Sequence, residues 1–71
     1  MKKFRELLQK LLNGEKVRGL DLSLYDIDVC VRIYNEMADG KKPSFINGKV
    51  KEVLDKCGIE TTIEGIGWRV V

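Results

Sequence analysis

Lysine, serine and asparagine side chains suited to nucleic-acid binding are grouped in a short stretch after Gly40. Ammonium groups neutralise phosphates, and an asparagine amide offers the paired donor and acceptor that match the edge of adenine. We expect this stretch to lead into a helix whose first residues face a DNA groove. The candidate DNA-binding residues are Lys41, Lys42, Ser44, Asn47, Lys49 and Lys51. The alternative is a capping serine beside a solvated lysine-rich turn, which needs no ligand.

Residues for catalysis or metal binding are scarce. The chain of 71 residues has no histidine, which removes the usual imidazole base and metal ligand. Its two cysteines, Cys30 and Cys57, lack the CxxC spacing of a zinc site, and no nucleophile stands at a recognised spacing from a base. We therefore expect no enzyme activity, metal, cofactor or small-molecule substrate. Buried structural thiols are the favoured interpretation of the cysteines, with a disulfide or a redox role as alternatives.

Length and composition indicate one folded domain over 1–71. Hydrophobic residues make up 44% of the chain and charged residues 34%, a balance typical of globular proteins. No apolar run approaches the length of a membrane span, so we expect a cytoplasmic protein. Charge is segregated: residues 1–18 carry +4, residues 19–40 carry −4 and residues 41–58 carry +3. The basic segments would meet a polyanion together only if they shared a face; solvated helix surfaces are the alternative.

Apolar spacing predicts a first helix that ends at Gly14, because glycine takes the left-handed conformation that stops a helix at little steric cost. Its core stripe would be Phe4, Leu7, Leu8, Leu11 and Leu12. The following segment, Val17–Leu22, is too short and glycine-interrupted for a helix. Its alternation of leucine with charge predicts a short strand.

Ser23 and Asp26 predict the start of a central helix, since the serine oxygen can accept an orphan amide hydrogen and carboxylates suit the positive helix end. Gly40 would end it. The expected core face is Leu24, Ile27, Cys30, Val31, Tyr34 and Ala38, widened by Val29, Ile33 and Met37.

Pro43 and Ser44 predict a fresh start, with Ser44 as the cap of a third helix over Phe45–Cys57. Gly48 would lie inside that helix and weaken it, unless a ligand approaches its backbone closely. The predicted core stripe is Ile46, Val50, Val53, Leu54 and Cys57.

The last segment, Ile59–Val71, alternates β-forming and polar residues around Glu64 and Gly65, which predicts a terminal β-hairpin. The expected fold class is therefore α+β. Three helices precede a carboxy-terminal hairpin, with a short strand between the first two helices.

This order of elements resembles the winged-helix variant of the helix-turn-helix. The terminal segment is similar to the wing of the DNA-binding effector domains of bacterial response regulators, which tend to read I-x-T-V-R-G-V-G-Y-R. The residues that align with that pattern are Thr62, Ile63, Gly65, Ile66, Gly67, Trp68 and Arg69. The resemblance implies binding to double-stranded DNA in transcriptional or mobile-element regulation, with Arg69 joining the DNA-binding set. The chain departs from the family at Glu64, where the family has an arginine.

A protein-interaction or inhibitor module on the same fold is the second hypothesis. Its docking surface would be the acidic central segment or the edge of the hairpin. Helix three also carries Glu52 and Asp55, and carboxylates there would be repelled by phosphate. A homodimer is compatible with either function, and fold alone does not decide between them.

Overall fold

Three α-helices and two short β-strands make up the protein in a computed structural model, which describes residues 2–61 and 68–70. In chain order they are α1 (Lys2–Leu12), α2 (Leu24–Ala38), α3 (Gly48–Lys56), β1 (Ile59–Thr61) and β2 (Trp68–Val70). The expected small α+β architecture is confirmed at this level.

The first helix, α1, forms where its apolar spacing predicts and buries one face. Phe4 and Leu8 are buried, and the ring of Phe4 meets the ring of Tyr34 edge-on, with centroids 5.6 Å apart. Phe4 lies near the start of α1 and Tyr34 toward the end of α2. Leu11, near the end of α1, lines one groove with Leu24 and Ile27 at the start of α2, so the two helices run antiparallel. Leu12 departs from the predicted stripe, since 63% of the residue is exposed.

Glycines end both α1 and α2, as predicted. At the end of α2 the amide of Gly40 donates to the carbonyl of Met37 at 3.0 Å, and the amide of Lys41 donates to the carbonyl of Glu36 at 2.8 Å. Gly40 has a φ of +76°, the left-handed conformation that this cap requires. The equivalent pair of bonds closes α1 at Gly14.

A turn replaces the strand that was predicted over Val17–Leu22. The amide of Leu20 donates to the carbonyl of Val17 at 3.1 Å, and Gly19 has a φ of +85°. A strand needs a neighbour to pair with, and in the described part of the chain the sheet consists of β1 and β2 alone. Leu20 and Leu22 still pack against the core, so their spacing reflects a folded-back turn and not a pleated strand.

The second helix, α2, begins as predicted. The hydroxyl of Ser23 accepts the amide hydrogen of Asp26 at 3.2 Å, and the carboxylate of Asp26 accepts the amide hydrogen of Ser23 at 3.1 Å. This reciprocal capping box satisfies two backbone donors. The predicted core face was wrong at Leu24, which is 82% exposed. The buried face is centred on Val29, Cys30, Ile33 and Met37.

The third helix, α3, is shorter than predicted and has a different cap. It begins at Gly48, and its N-cap is Asn47, whose side-chain oxygen accepts the amide hydrogen of Val50 at 2.8 Å. Ser44 was predicted to be the cap, but its amide and hydroxyl both donate to the carboxylate of Glu36, at 2.6 Å and 2.7 Å. Gly48 therefore occupies the first position of α3. A glycine there lowers the stability of the helix less than a glycine in the helix interior does.

Side chains from all three helices and β1 close one core. Its fully buried members include Phe4, Ile33, Ile46, Leu54 and Ile59. Cys30 and Cys57 are buried in it as free thiols. Burial raises the pKa of Cys30 to about 12 and also raises the pKa of Cys57, so burial favours the protonated form of both thiols.

The two strands pair antiparallel directly after α3. Ile59 lies opposite Val70, Glu60 opposite Arg69, and Thr61 opposite Trp68. The buried Ile59 attaches this ribbon to the core. The predicted glycine-bearing turn and most of the wing-like motif fall in residues 62–67, outside the described residues.

Core packing predicts that the same leucine-to-alanine substitution lowers the free energy of unfolding far more at one position than at another. Leu54 is fully buried, whereas Leu24 is 82% exposed. We expect Leu54→Ala to lower the free energy of unfolding by about 2–5 kcal/mol, because it leaves a cavity. Leu24→Ala should change it by less than about 0.5 kcal/mol. Urea denaturation followed by circular dichroism measures both, and equal losses would show that the core is assigned to the wrong residues.

Candidate functional site

The residues expected to bind DNA do not form one cluster. Lys41 and Lys42 are exposed just beyond the end of α2, and within the described residues neither ammonium group has an ion-pair partner. Lys49 lies in the first turn of α3, and its ammonium donates to the backbone carbonyl of Asp21 at 3.2 Å. Lys51 forms an ion pair with Asp55 at 3.0 Å.

Asn47 and Ser44 are engaged within the fold. The Asn47 side-chain oxygen caps α3, and its Nδ2 donates to the carboxylate of Asp26 at 3.2 Å. A base-reading asparagine needs both groups free to face the base. The hydroxyl of Ser44 likewise donates its hydrogen bond to the carboxylate of Glu36. Ser44 therefore has no hydroxyl hydrogen left for a phosphate, and Asn47 does not present its oxygen and amide together to a base edge. Arg69, in β2, is paired in register with Glu60.

The path of residues 39–47 explains why the lysines separate. Ser44 is bound to Glu36, near the end of α2, whereas Asn47 is bound to Asp26, near its start. Ten helical residues between those two carboxylates span about 15 Å. The chain therefore runs back along α2 before α3 begins. In a helix-turn-helix, by contrast, a turn of three or four residues joins the two helices directly.

Asp26 is the centre of this arrangement. It is only 7% exposed and accepts hydrogen bonds from the Ser23 amide, the Ser23 hydroxyl and Asn47. The backbone hydrogen bond from Ser23 is the largest cause of a lowered Asp26 pKa; burial opposes it, while the Ser23 hydroxyl, Asn47 and Lys49 add to it. The carboxylate therefore joins the caps of α2 and α3 as a stable anion.

A different set of cations lies at one end of the molecule. Because α1 and α2 are antiparallel, the start of α1 lies beside the end of α2, where Lys41 and Lys42 follow. The charge of Lys3 also reaches Cys57 at the end of α3, where it opposes the rise in the thiol pKa that burial causes. We call this end the basic pole, and its exposed members are Lys2, Lys3, Arg5, Lys41 and Lys42.

The basic pole is positive but not free of acids. Glu6 and Asp39 are exposed in the same segments, and Glu36 lies one turn before the end of α2. The Glu36 carboxylate accepts two hydrogen bonds from Ser44, so it is already engaged. Among residues 2–61 and 68–70, five cations against three carboxylates, one of them engaged, give this end a positive charge.

The opposite end of the molecule holds an apolar groove that was not anticipated from the sequence. Its volume is about 650 Å³, and it lies between the end of α1, residues 14–22 and the start of α2. Its aliphatic lining residues are Leu11, Val17, Leu20, Leu22, Leu24 and Ile27. Leu24 was assigned to a helix core face, and its exposure of 82% is the feature that reveals this surface.

Charged residues of both signs form the rim of the groove. Lys16 and Arg18 supply two cations, and Glu15 and Asp21 supply two carboxylates. All four side chains are exposed. The only signal in the sequence was the turn-forming segment itself, in which charges alternate with aliphatic residues around Gly19.

Neither a cluster of potential metal ligands nor a membrane-spanning helix occurs in the part of the chain that the structure describes. Among residues 2–61 and 68–70, no three cysteine or acidic side chains come together as a metal site would require. No helix in that part of the chain combines the length and apolar character needed to cross a bilayer.

Comparisons of the chain with protein-family models, with curated proteins and with solved structures found no match. The only support for the two candidate sites is therefore the geometry of the basic pole and of the groove among the described residues.

The lowered pKa of Asp26 predicts a pH-dependent stability. The folded protein binds this proton less tightly than the unfolded chain does. The stabilisation is therefore complete above the ordinary pKa of 3.8, and it is lost as pH falls through the lower folded value. We expect the free energy of unfolding of the wild type to fall more steeply below about pH 4 than that of Asp26→Asn.

Urea denaturation at a series of pH values measures this difference. Asp28→Asn is the matched control, because Asp28 is exposed on the same helix, and it should follow the wild-type curve. Parallel curves for the wild type and Asp26→Asn would contradict the role given to Asp26.

The engagement of Asn47 leads to a second prediction. Asn47→Ala removes a helix cap and a bond to a buried carboxylate, so we expect it to lower the free energy of unfolding by about 1–2 kcal/mol. Asn35→Ala, at an exposed position within α2, should be neutral or slightly stabilising. Thermal and urea unfolding of both variants measure the effect. If Asn47→Ala left the stability unchanged, the structural role given to Asn47 would be wrong, and its side chain would again be a candidate for reading a DNA base.

Proposed function

We propose that the protein binds the phosphate backbone of double-stranded DNA through the basic pole, and does so without catalysis. What supports the proposal is one observation: cations from residues 2–5 and from residues 41–42, distant in the sequence, lie at the same end of the molecule. Phosphate binding needs ammonium and guanidinium groups that are exposed and not already paired, and the members of the pole meet that condition within the described residues.

The mode of binding follows from which residues are free. Lysines act as point charges toward phosphates and carry little information about base sequence. Asn47, the residue expected to read adenine, is engaged with Asp26 and Val50. We therefore propose binding that depends on charge more than on sequence, and α3 is not assigned the role of a recognition helix. The winged-helix kinship, and a role in transcriptional or mobile-element regulation, are part of this proposal.

Charge-reversal variants and salt dependence test the DNA proposal. We expect binding to a random duplex with Kd of about 10⁻⁴ to 10⁻⁶ M at physiological salt, measured by fluorescence anisotropy. Lys42→Glu and Lys3→Glu should each weaken binding and reduce the slope of log affinity against log salt by about 1. The control is Lys10→Glu, which makes the same charge change near the far end of α1 and should have a much smaller effect.

Two results would contradict the proposal. One is no binding at low salt, and the other is an equal loss from Lys10→Glu and Lys42→Glu, which would indicate a response to total charge alone. Tight binding that Lys49→Glu abolishes, with Lys42→Glu neutral, would instead favour the original surface at the start of α3.

A protein-interaction function is the second candidate, and the apolar groove favours it. Leu24 is 82% exposed, and the aliphatic side chains that line the groove beside it are only partly buried. An exposed apolar patch of this kind is typical of a protein-interaction surface. Burying one leucine contributes about 1.5–3 kcal/mol to an association, so Leu24 alone would be a substantial anchor. This function uses the groove end of the molecule, and it does not compete with DNA binding at the basic pole.

A further inference from the structure

We propose that Phe45 is a base-stacking residue beside the basic pole, so that the protein prefers duplex DNA with an unstacked base step, as at a short gap, to intact duplex. The inference rests on the proposed function, because it names the form of DNA that the same surface binds. Two observations carry it: the exposure of Phe45 next to the lysines of the pole, and the contacts that fix the segment in which it lies.

Phe45 is an exposed aromatic residue in a segment whose other apolar residues are buried. The residue is 44% exposed, whereas Pro43 and Ile46 on either side of it are buried. The other large hydrophobic residues that are exposed in the described part of the chain lie at the end of α1 or the start of α2, away from the pole; they are Leu12, Leu24 and Tyr25. Among the described residues, Phe45 is therefore the exposed apolar group that a ligand on the pole can reach.

Hydrogen bonds to Glu36 place Phe45 beside the lysines. The backbone amide of Lys41 donates to the Glu36 carbonyl at 2.8 Å, and the amide and hydroxyl of Ser44 donate to the Glu36 carboxylate at 2.6 Å and 2.7 Å. Residues 41 and 44 are thus both held by one residue of α2. Phe45 follows Ser44 by a single Cα step of about 3.8 Å, so a DNA strand that contacts Lys41 and Lys42 also lies near Phe45.

The backbone is also held on the other side of Phe45. Ile46 is buried in the core, and the side chain of Asn47 bonds to the amide of Val50 and to Asp26. A loop that becomes ordered on binding lowers the affinity, because its conformational freedom is lost. This segment is already fixed within the fold, so Phe45 is presented without that loss.

An aromatic ring next to ammonium groups matches the two parts of a nucleotide. The ammonium groups of Lys41 and Lys42 suit the phosphate, and the ring of Phe45 can stack on the face of any base. In an intact duplex both faces of a base are covered by its neighbours, so an inserted side chain must first unstack a step at a cost in free energy. A gap already exposes a base, and the proposed contact then forms without that cost.

The carboxylates of this region affect the two contacts differently. Asp39 is exposed just before Gly40, and Glu36 is engaged by Ser44. A carboxylate repels phosphate, but a base carries no net charge, so the stacking contact is not opposed in the same way. Stacking therefore adds an attraction that does not depend on the charge balance of the pole.

Fluorescence anisotropy with two DNAs tests the inference, one an intact duplex and the other the same duplex with a short gap in one strand. The gapped DNA lacks the phosphates of the missing nucleotides, so binding through charge alone should be weaker for it. We expect the wild type instead to bind the gapped DNA at least about fivefold more tightly than the intact duplex.

Substitutions of Phe45 separate stacking from apolar contact. Phe45→Leu keeps an apolar side chain and removes the ring, so it should lose the preference for gapped DNA. Its affinity for intact duplex and its salt dependence should match the wild type, because the lysines are unchanged. Phe45→Trp should retain the preference. Tyr25→Leu is the matched control, since it removes another exposed ring, at the start of α2, and should also retain the preference. Thermal unfolding verifies that the variants are folded.

A fluorescent base analogue placed opposite the gap gives a direct measurement of stacking. Its emission should change when the wild type binds and should not change with Phe45→Leu at saturating concentration.

The outcomes separate this inference from the proposed function. Equal or weaker affinity of the wild type for gapped DNA would overturn the inference, and so would a preference that Phe45→Leu leaves intact. In both cases, binding to intact duplex that Lys42→Glu weakens would leave the proposed function standing. A chain that binds neither DNA at low salt would overturn both.

Discussion

The carboxylate of Asp26 joins the beginnings of two helices, and the arrangement of the rest of the molecule depends on that junction. It accepts hydrogen bonds from Ser23 at the cap of α2 and from Asn47 at the cap of α3. Because the Asn47 oxygen caps α3 at the same time, α3 cannot begin anywhere but beside the start of α2. A buried anion held by three donors is also costly to leave unpaired, so the junction favours this arrangement over looser ones.

That junction and the antiparallel packing of α1 against α2 give the molecule two unlike ends. At one end the turn between α1 and α2 leaves aliphatic side chains around a groove, with charges of both signs. At the other end the start of α1 meets the residues that follow Gly40, and cations predominate. The proposed ligands differ for the same reason: balanced charge around an apolar surface suits a protein, whereas unbalanced charge suits phosphate.

Features set by local sequence were predictable, and those set by distant contacts were not. The start of α2 and the glycine ends of α1 and α2 follow from residues within one turn of each other, and all were predicted correctly. The start of α3 was not, because Ser44 and Asn47 are both good caps. The choice between them depends on Glu36, eight residues from Ser44, and on Asp26, 21 residues from Asn47. The groove was missed because the helical spacing of Leu24 fits a core face that tertiary packing turns toward solvent.

The same contacts divide the lysines into structural and available groups. The ammonium of Lys49 is held by a carbonyl and that of Lys51 by a carboxylate, so a ligand would have to replace an existing interaction. Lys41 is different, because the cap at the end of α2 uses its backbone amide, and its side chain has no ion-pair partner among the described residues. A phosphate that binds there displaces water and counterions only, and the release of those counterions is the main source of affinity for DNA. Residue type therefore marks which side chains are able to bind phosphate, and the hydrogen bonds within the fold decide which of them are free to do so.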